Sequence, residues 1–337
     1  MQRTHDRWDT HWDDGHDWAL VLAGGEGRRL KALTTTASGV AVPKQFCSLG
    51  GGGSLLHDAL RRARVVADPA RICAIVSEHH RRWWQALDLG IPSSNLISQP
   101  RNRGTANGIL LPLLHIVHRD PEATLLVLPS DHYVSNEHVL AMSLRSAMTE
   151  LERDRSRVIL LGITPEEADP ELGYVVAESD SRSGIGAVRE FVEKPNADTA
   201  RALIARGGVW NAFIFAAGGQ ELLRAFEVRC PDVVGEMRQI VTSPDSSSRR
   251  GRLVQLYEQL PELDFSRDVL QRSPQLLRVM TVPACGWSDL GTPKRVVETV
   301  NRFAFLSGAT GVHPASFLDL ATQAAHASTR FSSETRL

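Results

Sequence analysis

The sequence predicts an α/β domain whose first half is a doubly wound sheet with helices on both faces. Three observations lead there. Short apolar runs between Trp18 and Ile163 alternate with stretches of helical periodicity. Several of these runs, such as Ala19 to Ala23, are apolar at every position, as suits strands buried on both faces. The pattern then changes: GYVVAE (173–178) and GAVREFVEKP (186–195) flank SDSRSG, which reads as a hairpin set into or beside that sheet.

At 337 residues the chain can bury one large core. A formal net charge of -1 supplies no global pull toward nucleic acid or membrane, so any anion site must be a local cluster. Four cysteines without paired spacing speak against a disulfide framework or a zinc site. No apolar run approaches the ~18 residues of a membrane span, and the N-terminus has no signal-peptide core. A cytoplasmic, soluble protein is expected. Residues 1–17 read as an N-terminal extension, 18–306 as one domain, and 307–337 as a partly helical tail. The cluster His11, Asp13, Asp14 and His16 contains metal-ligating types but matches no closed motif, and a solvated terminus is expected.

From Trp18 the first strand breaks into Gly24, Gly25 and Gly27, where the backbone can turn tightly and aim N–H groups at an anion. Arg28, Arg29 and Lys44 add fixed positive charge, so the stretch reads as a polyphosphate site. The segment LKALTTTASGVA between them reads as a mobile loop. Four glycines at 50–53 lead into Ser54 and an apolar-periodic run, which predicts a turn into a Ser-capped helix. Residues 71–76 form a second strand, and a helix begins at HHRRWWQAL, with at most one of Trp83 and Trp84 facing the core. Asn95 to Gln99 is a short third strand. The helix from Thr105 to about His118 contains Pro112, which should kink or shorten it. His115 and His118 on that helix read as core or surface histidines.

The strand in TLLVLPSDH ends at Ser130 and Asp131. Ligands collect at the carboxyl ends of strands in open sheets, so Asp131 is a candidate metal ligand; equally, it could cap a turn. A helix to about Arg153 and a strand VILLGI (158–163) follow. After the hairpin, a helix near 197–206 leads into the strand VWNAFIFAA. Residues 219–272 are mainly helical, LLRVMTV is a strand, CGWSDLGTP its turn, and Pro293 opens an amphipathic helix.

The motifs LAGGEGRRL, VPKQF, QPRNRGTA, LPSDH, GYVVAE, FVEKP, WNAFIF and GWSDLGTP, in that order over roughly residues 18–305, resemble the sugar-phosphate nucleotidyltransferases. Lys-Gln-Phe after Pro43, the R-G-T-A junction and LDFSRDVL resemble the mannose-1-phosphate guanylyltransferase branch, which forms GDP-mannose. The resemblance implies a Rossmann-like, mixed but mostly parallel sheet with an inserted hairpin region for the sugar. It also implies Mg²⁺ as cofactor, GTP or another NTP and a hexose 1-phosphate as partners, and room for a homo-oligomer. By the same resemblance, Arg29 and Lys44 would hold phosphates and Asp131 and Asp289 the metal. The nucleotide would lie against Leu22, Ala23, Gly24, Gly25, Gly27, Arg28, Gln99, Arg103, Gly104, Thr105 and Ser130. Gly173, Tyr174, Glu193, Lys194 and Asn211 would hold the sugar and its phosphate.

The sequence departs from the branch in places. Arg28 stands where Thr is usual, Lys31-Ala32 where Trp-Pro is usual, and Asn102-Arg103-Gly104-Thr105 where Arg-Asn-Thr is more common. The last departure touches base selectivity, and uridylyl or thymidylyl transfer to glucose 1-phosphate is the enzymatic alternative. A non-catalytic nucleotide-sugar-binding paralogue is the alternative from another class, although Arg29, Lys44, Asp131, Lys194 and Asp289 are all present. A dinucleotide fingerprint fails because its third glycine would fall at Leu30, and a P-loop fails for want of G-K-[ST].

Overall fold

The computed structural model describes residues 15–36, 38–49, 53–178 and 184–307. His11, Asp13, Asp14, three of the glycines at 50–53 and the tail beyond 307 lie outside the described residues. His16 is described, and its Nδ1 lies 2.8 Å from Asp120 Oδ1.

The strands are β1 (Asp17–Ala23), β2 (Ile72–Ser77), β3 (Leu96–Gln99), β4 (Thr124–Pro129), β5 (Val158–Ile163), β6 (Tyr174–Ala177), β7 (Ile185–Val192), β8 (Val209–Gly218) and β9 (Leu277–Val282). They form one mixed sheet in the order β3-β2-β1-β4-β8-β5-β9-β7-β6. The first four are mutually parallel. β8 runs antiparallel between β4 and β5, and β6 and β7 form the antiparallel hairpin. Because β8 is reversed, its first residues lie at the sheet edge where β4 ends.

Alternation along β1 explains its unbroken apolar run. Ala19, Val21 and Ala23 enter one core layer, and Trp18 and Leu20 the other. The first layer is closed by the helices α1 (Lys31–Thr34), α2 (Leu55–Ala63), α3 (Arg81–Trp84), α5 (Glu137–Arg153), α6 (Ala197–Ala205) and α10 (Pro293–Ser307). The opposite layer is closed by α4 (Gly104–Arg119), α7 (Gly219–Arg229), α8 (Pro231–Val241) and α9 (Ser246–Gln259), with a π-helical turn at Phe265–Leu270. Among the described residues no helix is long and apolar enough to cross a membrane.

Ser54 caps α2 through a reciprocal pair with His57, as its position before the apolar run predicts. Three local expectations change. Trp83 and Trp84 are both buried, at 5% and 9% exposure. In the one-turn helix α3 the exposed positions fall to Arg81 and Arg82. Trp84 donates to the Ser77 carbonyl at 2.9 Å, and Arg82 covers the Trp83 ring. Pro112 does not shorten α4, which runs through it for 16 residues. Its ring is buried with the neighbouring apolar side chains, and that packing offsets the one missing backbone donor. The segment after the glycines is folded rather than a free loop. Thr35 bridges Ala41, Val42 N–H donates to the Thr34 carbonyl at 2.9 Å, and Thr34 and Thr36 are buried.

Candidate active site

β1 ends at Ala23, and the chain turns through Gly24, Gly25 and Gly27, of which the first and last are constrained to glycine. A Cβ on Gly24 would stand 2.4 Å from Gln99 Nε2. Gly27 has φ +61°, with Lys44 N at 3.3 Å from where a Cβ would be. Gln45, 2% exposed, braces this turn by donating from Nε2 to the carbonyls of Ala23 at 2.9 Å and Gly25 at 3.0 Å. Sequence reading passed over Gln45, although it stands inside the Pro-Lys-Gln-Phe motif.

Lys44 is 5% exposed, and its ammonium joins two distant segments. Nζ lies 2.9 Å from Asp131 Oδ2 and donates to the Asp289 backbone carbonyl at 2.5 Å. Burial alone would raise the Asp131 carboxyl, but the Lys44 ammonium beside it holds it below the usual carboxylate value. The Asp289 carboxylate faces Arg295, with Nε 2.9 Å from Oδ1 and Nη2 3.2 Å from Oδ2, and Oδ1 also accepts from Gly291 N–H at 2.9 Å.

His132, next to Asp131, also belongs to the site. Its Nδ1 accepts from the Trp287 indole N–H at 3.2 Å, so its own proton sits on Nε2, 3.8 Å from Asp131 Oδ1. Burial pushes this histidine down to about 4 despite the opposing pull of Asp131, so the ring is neutral near pH 7. The only sequence signal for it was its place in LPSDH.

Two cavities meet here. The first, about 490 Å³, is lined by Gly27, Arg29, Lys44, Asp131, His132 and Asp289 among others. The second, about 220 Å³, includes Thr105, Gly173, Glu193, Lys194 and Asn211 in its lining. Arg29, His132 and Asp289 line both, so the two are lobes of one cleft. Arg29 is half-exposed and 3.5 Å from Glu171. In the second lobe Gly173 makes room for Glu193, whose Oε2 would be 2.5 Å from any Cβ there. Packing in that corner raises the Glu193 carboxyl, against the lowering effect of Lys194.

Three non-glycine residues of the cleft have left-handed backbone: Lys194 (φ +48°), Phe213 (+56°) and Leu290 (+48°). Such conformations cost free energy and persist only where the surrounding structure enforces them.

Some expected residues stand behind the lining. Ser130 donates from Oγ to the Leu22 carbonyl at 2.7 Å, tying the ends of β1 and β4 together. Gln99 is buried under Gly24, with Oε1 unpartnered. Gly104, at φ +86°, packs on the Leu263 carbonyl, which would be 2.2 Å from a Cβ. Arg103 turns away and donates to the carbonyls of Tyr257 at 2.7 Å and Glu258 at 2.8 Å. Tyr174 is fully buried, its hydroxyl bonded to the Asp169 backbone and to Trp210, so it does not face the second lobe. The Arg28 side chain lies outside the described residues.

A sheet edge that gathers a glycine turn, cationic side chains and two carboxylates defines a phosphate-handling α/β protein. The chain belongs to the nucleotidyl transferase family, whose model matches residues 18–304. It is 32% identical to mannose-1-phosphate guanylyltransferase ManC of Salmonella typhimurium over 290 residues, and 30% identical to mannose-1-phosphate guanylyltransferase of Escherichia coli (strain K12). Both alignments take in 82% of this chain and 58% of the relative, so the chain spans little more than half the length of these relatives. Among solved structures, mannose-1-phosphate geranyltransferase from Thermus thermophilus superposes with a TM-score of 0.72 at 25% identity, covering 85% of this chain and 79% of that one. UDP-glucose pyrophosphorylase complexed with UDP-glucose shares the fold, with a TM-score of 0.55 at 16% identity, covering 86% and 99%.

Proposed function

We propose that the chain transfers a nucleotidyl group from GTP to mannose 1-phosphate, giving GDP-mannose and pyrophosphate. The observation that carries this reading is the wall shared by the two lobes. A triphosphate under the glycine turn and a sugar phosphate near Gly173 and Asn211 would meet at Arg29, His132 and Asp289. The choice of substrates rests on the relatives named above.

Asp131 and Asp289 are the residues that would hold Mg²⁺. Two carboxylates on one cavity wall suit an ion that takes one or two carboxylates and completes its shell with water and substrate phosphates. When bound, the ion would supply charge neutralisation at the α-phosphate. The protein's own groups supply the rest. The sugar-phosphate nucleophile is already ionised near pH 7, so the site needs no general base. Lys44 and Arg29 would balance charge on the departing pyrophosphate. Lys194 and Asn211 would hold the incoming phosphate in line, which is alignment catalysis. Neutral His132 would keep a donor turned toward Asp131.

Arg103, expected beside the base, directs Nε and Nη2 to carbonyls of α9 instead, so the choice of base is the point to test. The test is therefore pyrophosphate release across GTP, UTP, dTTP, CTP and ATP, each with mannose 1-phosphate and glucose 1-phosphate. GTP with mannose 1-phosphate should give the highest kcat/KM. A clear win for UTP or dTTP with glucose 1-phosphate replaces the substrates but keeps the chemistry; silence in every pairing favours a binding protein without turnover.

A further inference from the structure

We propose that Arg295 is a positioning residue, which fixes the orientation of the Asp289 carboxylate and is itself anchored by Asp169. The inference rests on the reading of Asp289 as one of two metal-holding carboxylates. Arg295 stands in the first turn of α10 with its side chain 9% exposed. Its Nη2 donates to Asp289 Oδ2 at 3.2 Å, and its Nε lies 2.9 Å from Oδ1 as an ion-pair contact without hydrogen-bond geometry. Its remaining nitrogen, Nη1, is bonded to Asp169. Arg295 lines neither lobe of the cleft. It approaches Asp289 from the far side, where it borders a separate cavity of about 290 Å³.

The surrounding backbone is shaped to admit this pair. A Cβ on Gly291 would stand 2.4 Å from Asp289 Oδ2 and 2.8 Å from Arg295 Nη2. Leu290, between Asp289 and that glycine, takes a left-handed conformation. Asp169 is fixed in turn. The Tyr174 hydroxyl accepts from the Asp169 N–H at 2.8 Å and donates to the Asp169 carbonyl at 3.0 Å, while Trp210 donates to that hydroxyl at 3.1 Å. An uninterrupted polar series therefore runs Trp210, Tyr174, Asp169, Arg295, Asp289, from the base of the hairpin to the cleft.

The contrast with Asp131 separates positioning from charge balance. The counter-cation of Asp131 is Lys44, which itself lines the cleft. The counter-cation of Asp289 is Arg295, which is absent from the lining of both lobes and borders the separate cavity instead. With Arg295 Nη2 hydrogen-bonded to Oδ2 and the Gly291 N–H to Oδ1, each carboxylate oxygen has a directional donor, whereas a lysine ammonium in place of the guanidinium would neutralise the charge without that geometry.

The experiment is a titration of the full chain with Mn²⁺ followed by electron paramagnetic resonance, with the melting temperature measured alongside. Arg295→Lys keeps the charge and should melt close to the parent, yet bind Mn²⁺ about ten-fold or more weakly, as expected for loss of an orienting partner. Asp169→Asn, which leaves Arg295 in place, should weaken Mn²⁺ in the same direction and carries the test if Arg295→Lys melts far below the parent. Parental Mn²⁺ affinity in a folded Arg295→Lys, or in Asp169→Asn where that variant carries the test, overturns the proposal. Asp289→Asn separates the two levels: if it binds Mn²⁺ as the parent does, the metal reading falls and the proposal with it.

Discussion

In the part of the site built before residue 133, tight backbone is assigned to glycine: Gly27 and Gly104 take the left-handed turns, and Gly24 lies against Gln99. In the part built after residue 172, Lys194, Phe213 and Leu290 make left-handed turns despite carrying side chains. The two lysines differ as well. Lys44 is buried and bonded to two segments, whereas Lys194 is exposed. The early half is a preformed cradle with little conformational strain. The later half holds functional side chains in place by long-range packing, and strain is the cost.

The strongest challenge to this comparison is to remove one carboxylate from each half. Asp131→Asn and Asp289→Asn should each lower pyrophosphate release by about 10²–10³, in line with loss of one charge-stabilising contact, while circular dichroism shows the fold retained. Equal losses mean that both halves serve one step. A large loss for only one of them would mean that the halves act separately.

A smaller effect tests the strain. Lys194→Gly relieves a left-handed residue, worth on the order of 1–2 kcal/mol, and gives back roughly 0.5–1 kcal/mol in unfolded-chain freedom. The melting temperature should hold or rise slightly while turnover falls about ten-fold. A fall of many degrees would show that Lys194 contributes contacts to the fold and is not merely tolerated.

The smallest effect concerns Glu193. Its carboxyl lies above the ordinary value of 4.5 because its corner is partly desolvated. Just above pH 4.5 the folded chain therefore binds more protons at this site than the unfolded chain, and stability at this site falls as pH rises through that window. More than a third of Glu193 is exposed, so the slope is shallow. Glu193→Gln should flatten it in chemical-denaturation series between pH 4 and 7. An unchanged slope would assign the shift to another group.

Much of this was readable in advance for a physical reason: local patterns encode local structure. The fully apolar run at Ala19 to Ala23 announced a strand buried on both faces, and the glycines after it announced close backbone approach. The capped start of α2 and the hairpin at β6–β7 were equally local. Gln45 and His132 were visible only as members of motifs, because a side chain's hydrogen-bond partners are not written in its neighbours.

By itself the sequence determined the order and kind of the elements, the anion-binding turn and the family resemblance. Tertiary structure decided what meets what. Insertion of β8 antiparallel between β4 and β5 brings Asn211 to the same edge as Asp131. The turn after β9 sets the Asp289 carbonyl on Lys44. Tyr174 became a strut for Asp169 instead of a ligand of the second lobe, Arg103 turned to α9, and Trp83 and Trp84 both found cover. Each of these depends on pairings between residues far apart along the chain. Burial on both faces of the sheet settles such pairings, because it must repay loop closure, and no local periodicity records it.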